Sequence, residues 1–238
     1  MPAHYEIINS YTRRAGILPE VLSLTADEQG TLGVMTLVKI CGITNAGDAR
    51  TAADAGADAV GLVFAESPRR VDFEEARRIS LALPENIVRV GVFVDEEPAE
   101  ILRITREVGL DLAQLHGEET PEDVTAIRQG GVKVMKALRV RDAGSLEALD
   151  RYGADLILLD AYSERARGGT GERFDWEVAK SFTGRDNIVV SGGLGPENVH
   201  EAIEFFDPYG VDASSSLEDE PGRKNGERVR RFVLAARN

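Results

Sequence analysis

The chain has 238 residues, 42% of them hydrophobic, and a formal net charge of −13 at pH 7. This length suits one domain with a sizeable core, and the negative charge argues against nucleic acid or an anionic membrane surface as a partner. The single cysteine, Cys41, excludes an internal disulfide, and no apolar run reaches the roughly 20 residues that span a bilayer.

Residues 1–35 show no sustained hydrophobic periodicity. We expect them to be a poorly ordered extension, or to lie upstream of a true start at Met35. The Arg13-Arg14 pair is not followed by the apolar stretch and cleavage pattern of an export signal, so the sequence predicts a cytoplasmic protein. The acidic balance fits either adaptation to high salt or an ordinary acidic enzyme.

From Thr36 onward, short apolar runs alternate with helical patterns. Strands are predicted at 37–41, 59–64, 87–94, 112–115, 132–138, 156–160, 188–191 and 210–213. Helices are predicted at 46–55, 73–83, 98–108, 121–129 and 196–206. Eight βα units in residues 36–238 predict an α/β fold, a single (β/α)8 TIM barrel with a parallel eight-stranded sheet. A doubly wound open sheet is the alternative, but no GxGxxG motif follows the first strand.

Two residues at strand ends are candidates for acid–base chemistry. Cys41 ends the first strand on the inward face that it shares with Lys39, at the barrel end where such folds keep their chemistry. A lone cysteine is more often an inert buried side chain. Asp160 closes four aliphatic residues of the sixth strand, where it either caps the next turn or acts as an acid with a raised pKa.

Small residues follow the last two strands at the same rim. Glycines let backbone N–H groups approach an anion closely, and serine hydroxyls add donors. Phosphate sites in these barrels are commonly built from the loops after strands seven and eight. The sequence therefore predicts a phosphorylated substrate, bound by Gly192, Gly193, Ser214 and Ser215.

Other polar residues are predicted at this rim. Arg69 and Arg70 follow the second strand, and one of them is placed to hold an acidic part of the substrate, whereas Arg70 is expected to be a solvated surface residue. His116 ends the fourth strand. No cluster has metal-ligand spacing, so we expect a site with no metal and no cofactor.

Together these motifs resemble the phosphoribosylanthranilate isomerase family of tryptophan biosynthesis, from Thr36 to the C-terminus. The resemblance is carried by many motifs in the expected order. They are KICGIT at 39–44, GLVF at 61–64, SPR at 67–69, VGVFV at 90–94, QLHGE at 114–118, Asp160, GGTG at 168–171, FDW at 174–176, SGGL at 191–194, PENV at 196–199 and DASSSLE at 212–218.

The resemblance implies a cofactor-free Amadori rearrangement of N-(5-phosphoribosyl)anthranilate to 1-(2-carboxyphenylamino)-1-deoxyribulose 5-phosphate. It implies that Asp160 is the general acid, and that Cys41 is the general base with a thiol pKa shifted downward. It further implies that Arg69 holds the anthranilate carboxylate and that the phosphate lies on the residues predicted above. Asp212 and His116 would lie near the sugar and the ring.

The chain departs from the family pattern in three places. The loop before Ser67 is one residue shorter, Asn225 replaces a common aspartate, and Ser216 stands where the family usually has glycine. If the backbone at Ser216 needs a positive φ, serine costs about 1 kcal/mol or more and reshapes the phosphate loop.

Three alternatives are weighed against this interpretation. The sister isomerase of histidine biosynthesis performs the same chemistry but resembles this chain less, because it has an aspartate where Cys41 stands. Indole-glycerol-phosphate synthase needs a lysine and glutamates that are not found at the strand ends. A non-catalytic sugar-phosphate-binding barrel would have no reason to keep both Cys41 and Asp160. Both a monomer and a homodimer fit the sequence.

Overall fold

The computed structural model describes residues 24–26, 32–139, 151–160 and 176–238. Two short strands, β1 (Leu24–Ala26) and β2 (Leu32–Val34), pair antiparallel within the predicted extension. The remainder of that extension, the GGTG motif at 168–171 and the first two residues of the FDW motif lie outside the described residues.

Eight parallel strands close into a barrel, which confirms the predicted fold. In spatial order β10 is followed by β3, β4, β5, β6, β7, β8 and β9, and β9 pairs with β10. The bounds are β3 Leu37–Cys41, β4 Ala59–Val63, β5 Val88–Phe93, β6 Leu112–Leu115, β7 Lys133–Arg139, β8 Leu156–Asp160, β9 Ile188–Ser191 and β10 Gly210–Ala213.

Helices surround the barrel, and a small hairpin follows its last strand. The helices are α1 Ala46–Asp54, α2 Phe73–Ala82, α3 Pro98–Val108, α4 Pro121–Gln129, α5 Val199–Phe206 and α6 Gly226–Arg237, with 3-10 turns at Trp176–Phe182 and Ser215–Leu217. The hairpin strands are β11 (Glu218–Glu220) and β12 (Arg223–Lys224). Among the described residues, no helix is long and apolar enough to cross a membrane.

The predicted element bounds are correct to within one residue except at one helix start. The helix predicted at 196–206 begins instead at Val199, because the chain first makes a turn in which Gly195 N donates to Asn198 Oδ1 at 2.8 Å. Elsewhere local signals position the ends. Thr120 and Asp123 form a capping box at the start of α4, which satisfies backbone N–H groups that the helix itself leaves unpaired.

Alternation along each strand sorts the core into two layers. Leu156 and Leu158 of β8 belong to the apolar cluster inside the barrel, whereas Ile157 and Leu159 belong to the cluster between the sheet and the helices. Successive strand side chains point to opposite faces, so Asp160 continues the inner row and reaches the barrel rim.

The two ends of the barrel domain are fastened together. Strand β10 pairs in parallel with β3, with Val211 opposite Val38. From the last helix, Arg237 donates to the carbonyl of Thr36 at 2.6 Å and to the Asp58 carboxylate at 2.6 Å. Closure therefore rests on contacts between the first and last βα units.

Candidate active site

A cavity of about 410 Å³ opens at the carboxyl end of the barrel strands, which is the size of a small-molecule site. Cys41, Arg69, His116, Asp160 and Asp212 all line it, and so do the predicted phosphate-binding residues. The structure therefore brings every residue predicted for the site to one cavity. Among the described residues, no group of three or more His, Cys, Asp or Glu side chains is arranged to hold a metal ion.

Cys41 lies above a buried ion pair. Lys39 precedes it on the inner face of β3, is fully buried, and places Nζ 2.8 Å from Asp212 Oδ1. Asp212 in turn accepts a hydrogen bond from Ser191 Oγ at 3.0 Å. Asp212 was expected near the sugar, and its carboxylate is already engaged by these two partners. The Asp212 carboxylate therefore holds the Lys39 ammonium group, which lies close to the thiol.

The electrostatics of Cys41 differ from the downward pKa shift expected from the sequence. Burial raises the pKa of the thiol, and the nearby Lys39 and Lys224 ammonium groups offset this only in part. The expectation of a lowered pKa was therefore wrong in direction. The physical reason is burial. Cys41 is only 9% exposed, so the loss of hydration destabilises the thiolate by more than the two cations stabilise it.

Asp160 lies across the cavity mouth in a short chain of side chains. Gln114 Nε2 is 2.9 Å from His116 Nδ1, and His116 Nε2 is 3.2 Å from Asp160 Oδ2. With the Gln114 amide oriented so that its NH2 group faces Nδ1, Nδ1 accepts and the imidazole carries its proton on Nε2. His116 then donates to Asp160 and orients its carboxyl group.

The two loops after β9 and β10 contain the residues that the sequence predicts to bind phosphate, and these residues line the cavity. Gly192 and Gly193 have φ values of 86° and 71°, a left-handed conformation that favours glycine. A Cβ at Gly193 would meet nothing within 4 Å, so this part of the loop borders open space. Asn198 Nδ2 donates to the Gly193 carbonyl at 3.1 Å and holds the loop in place.

Both substitutions noted in the sequence keep good local structure. Ser216 lies in the 3-10 turn Ser215–Leu217, and it is absent from the described non-glycine residues with positive φ. The cost expected for serine there does not arise, and its hydroxyl instead donates to the carbonyl of Leu194 in the loop after β9. Asn225 caps α6 by accepting from the N–H groups of Glu227 and Arg228.

Arg69 is held by the hairpin that follows β10. Its Nε lies 2.8 Å from Glu218 Oε1 and its Nη2 lies 2.6 Å from Glu218 Oε2. Lys224 Nζ contacts the same carboxylate at 2.7 Å. Arg70, by contrast, is exposed, as expected.

Sequence reasoning missed several residues of the cavity. Val63 and Val92 form an apolar part of the cavity wall, and Gln114 lines the cavity beside His116, to which it is hydrogen-bonded. The sequence analysis placed Lys39 correctly on the inner face of the barrel but assigned it no role. It named Glu218 only as the last residue of a motif. A charged residue inside an apolar strand was the available signal for Lys39. The pairing of Glu218 with Arg69 spans 149 positions and left no local trace.

Comparison with known proteins gives one consistent result. The sequence profile of the family described as N-(5'-phosphoribosyl)anthranilate isomerase matches residues 38–235. An N-(5'-phosphoribosyl)anthranilate isomerase of Rubrobacter xylanophilus is 64% identical over 206 residues, which cover 86% of this chain and 100% of that protein.

Solved structures agree with the sequence relatives. The phosphoribosylanthranilate isomerase of Thermotoga maritima superposes with a TM-score of 0.78 at 43% identity, over 85% of this chain and 98% of that one. A second structure, with a TM-score of 0.75 at 42% identity over the same shares, holds reduced 1-(o-carboxyphenylamino)-1-deoxyribulose 5-phosphate.

Proposed function

Because the chain belongs to the N-(5'-phosphoribosyl)anthranilate isomerase family, we propose that Cys41 and Asp160 carry out the proton transfers of this isomerisation. The chain is an isomerase of tryptophan biosynthesis that acts on a small phosphorylated substrate. The observation that carries the residue assignment is that a buried thiol and a hydrogen-bonded carboxyl group line one cavity together with the glycine and serine loops after β9 and β10.

The first step opens the sugar ring. Asp160, as the carboxylic acid, gives its proton to the furanose ring oxygen. The C1'–O bond breaks while the nitrogen lone pair forms a C1'=N double bond, so the positive charge rests on nitrogen. The hydrogen bond from His116 at 3.2 Å keeps the carboxyl group aimed at the substrate.

The second step moves the proton from C2'. The Cys41 thiolate takes it, the C–H electron pair forms the C1'=C2' double bond, and the iminium nitrogen regains its lone pair. The resulting enolamine tautomerises to the ketone. Lys39 and Lys224 favour the thiolate that this step needs, against the burial that disfavours it. Transient thiolate formation then makes the rate rise with pH.

The remaining residues bind the two anionic ends of the substrate. In this proposal Gly192, Gly193, Ser214 and Ser215 hold the phosphate, and Arg69 holds the anthranilate carboxylate. The reduced product bound by the relative carries both a carboxyl and a phosphate group, which supports this division. Family membership decides against the histidine-pathway isomerase and a non-catalytic barrel as the function of this chain.

The test is turnover of freshly prepared phosphoribosylanthranilate, followed by the loss of anthranilate-type fluorescence. Wild type is expected to turn over rapidly, whereas Cys41→Ser and Asp160→Asn should do so at least ~10²-fold more slowly. Arg70→Ala, at an exposed neighbouring arginine, is the control and should match wild type. Wild-type rates in either active-site variant would refute its assignment.

The wider context of the enzyme is also proposed. We propose that residues 36–238 form the catalytic domain and that residues 1–35 are an N-terminal extension to it. The net charge of −13 supports a protein without a nucleic-acid partner. A related isomerase of Thermotoga maritima is described as dimeric and has also been solved as monomers generated from the dimer, so both monomer and homodimer are open to this chain. A phosphorylated substrate stays in the compartment that makes it, which supports a cytoplasmic enzyme.

A further inference from the structure

Arg69 presents only part of its guanidinium group to the cavity. Its Nε–Nη2 edge is paired with both oxygens of Glu218, at distances of 2.8 and 3.1 Å from Nε and 2.6 Å from Nη2. A guanidinium group has five N–H donors in a rigid fork, so the edge formed by Nη1 and Nη2 still has N–H donors for a second carboxylate. Arg69 is 23% exposed and lines the cavity.

The stem of this arginine is confined as well. Gly42 has φ 74°, and a Cβ there would lie 2.5 Å from Arg69 Cδ, so the side chain runs directly over the backbone of Gly42. The backbone N–H of Arg69 donates to Ser67 Oγ at 3.1 Å. Arg69 is therefore restricted at its backbone, its stem and one guanidinium edge.

Glu218 is itself a saturated acceptor. Besides Arg69, it accepts from Lys224 Nζ at 2.7 Å and from the Gly222 N–H at 3.3 Å. Its side chain is 3% exposed and that of Lys224 is 0% exposed. Burial opposes ionisation of Glu218, but the hydrogen bonds from Arg69 and Lys224 outweigh it and hold its pKa below the usual range. Glu218 is therefore an anion at neutral pH.

The cluster of Arg69, Lys224 and Glu218 has one more positive than negative charge. Arg69 and Lys224 are positive and Glu218 is negative, so the three side chains carry a single net positive charge. Exposure rises from Lys224 to Arg69, and the uncompensated charge is thus offered to the cavity through the arginine. The hairpin of β11 and β12 supplies both buried members.

We propose that Glu218 is a positioning residue for carboxylate specificity: with Lys224 balancing its charge, it holds Arg69 so that the free guanidinium edge meets the substrate carboxylate. This rests on the role of Arg69 in the proposed function. A flexible arginine has considerable rotamer entropy, which binding would otherwise have to remove. Glu218 removes it in advance, because it orders the fork before the substrate arrives.

Loss of Glu218 would change both the net charge of the cluster and the position of Arg69, and these two changes have opposite effects on affinity for a carboxylate. The test must therefore separate them. Removing Glu218 alone would leave two uncompensated cations, which attract any anion regardless of geometry. The double variant Glu218→Gln/Lys224→Met keeps the single net positive charge, since only Arg69 remains charged. It removes the ionic anchor with side chains of similar length. Loss of specificity in this variant therefore reports position rather than charge.

The experiment compares the affinities of two probes. One is the reduced form of 1-(2-carboxyphenylamino)-1-deoxyribulose 5-phosphate, and the other is the same compound without the ring carboxyl group. Their affinity ratio measures carboxylate recognition, and contributions of the shared phosphate cancel. We expect the double variant to lower this ratio at least ~10-fold, the scale of one hydrogen bond to a charged group. Glu218→Asp, which keeps the charge, should retain an intermediate ratio.

Arg69→Ala tests the carboxylate-binding role of Arg69 separately from the positioning role of Glu218. Melting curves are used to check that each variant is folded. If Arg69→Ala abolishes the ratio while the double variant keeps it within threefold of wild type, the positioning role is overturned and the role of Arg69 stands. If Arg69→Ala leaves the ratio unchanged, both assignments are overturned. If the double variant does not fold, Glu218→Asp decides alone, and a ratio equal to wild type overturns the proposal.

Discussion

Gly61 provides the sharpest test of how closely the base must be placed. It lies on β4 directly opposite Cys41 of β3. A Cβ at Gly61 would lie 2.6 Å from Cys41 Sγ and 3.2 Å from Lys39 Nζ. Non-bonded heavy atoms prefer separations of about 3.5–4.0 Å. In Gly61→Ala the thiol must therefore move by about 1 Å or adopt another rotamer.

The expected consequence is catalytic rather than structural. A misplacement of about 1 Å can cost ~10²-fold in rate, because the reacting atoms no longer meet at attack distance. Glycine weakens a strand interior relative to residues with side chains, so part of the strain is offset by a better strand former. We therefore expect kcat to fall by ~10²-fold with a modest change in Tm, measured by fluorescence turnover and thermal melting.

Gly91→Ala is the matched control. On β5, a Cβ at Gly91 would lie 2.6 Å from Leu110 Cδ1 and 2.7 Å from Phe93 Cε2, an equal overlap with no contact to the thiol. It should lower Tm while the folded enzyme keeps kcat within about threefold of wild type. Wild-type kcat in Gly61→Ala would refute the placement argument, and equal losses in both variants would attribute the effect to general destabilisation.

Further predictions address titration, binding and stability. Because burial raises the pKa of Cys41, kcat/KM should still rise with pH above about 8.5, the usual thiol value, and a plateau below that pH would contradict the assignment. Lys39→Met removes a charge that lowers this pKa, so in a folded variant the rise should move to higher pH. The folded protein holds the thiol proton more tightly than the unfolded chain, so wild type should lose stability relative to Cys41→Ser as pH rises beyond about 8.5, and parallel pH curves of unfolding free energy would refute this. Asp160→Asn should bind the reduced product without turning over substrate, which calorimetry beside the fluorescence assay would detect. Thr120→Ala breaks a capping box and should cost about 1 kcal/mol in urea unfolding, with a change below 0.3 kcal/mol counting against it.

The fold was predictable because its signals are local and repeat eight times. Apolar runs of strand length alternate with amphipathic helices, and each strand end is marked by a turn or a polar residue. Asp160 illustrates the strength of this signal, since it continues the inner row of Leu156 and Leu158. Bounds failed where a side chain overrode the pattern, as when Asn198 accepted a backbone hydrogen bond and delayed the start of α5.

The site was predictable in composition but not in electrostatics. Strand ends place Cys41 and Asp160 at one rim, but the pKa direction of the thiol depends on how far burial outweighs neighbouring cations. The balance between burial and neighbouring charge depends on three-dimensional packing, and no local sequence pattern reveals it. The same holds for Glu218, whose partner Arg69 lies 149 positions away. At Ser216 the family's glycine suggested a backbone with positive φ, which serine disfavours. The backbone there instead adopts a 3-10 turn, which serine accommodates.

Barrel closure also has a consequence for how the chain is made. Synthesis proceeds from the N-terminus, so β3 exists long before β10, the strand that covers its outer edge. Until β10 arrives, β3 displays a row of unpaired N–H and C=O groups, a known template for aggregation. Arg237, which joins the last helix to Thr36 and Asp58, is synthesised later still than β10. Until β10 and the last helix have been synthesised, the barrel strands therefore form an open sheet, and the exposed edge of β3 needs protection from aggregation.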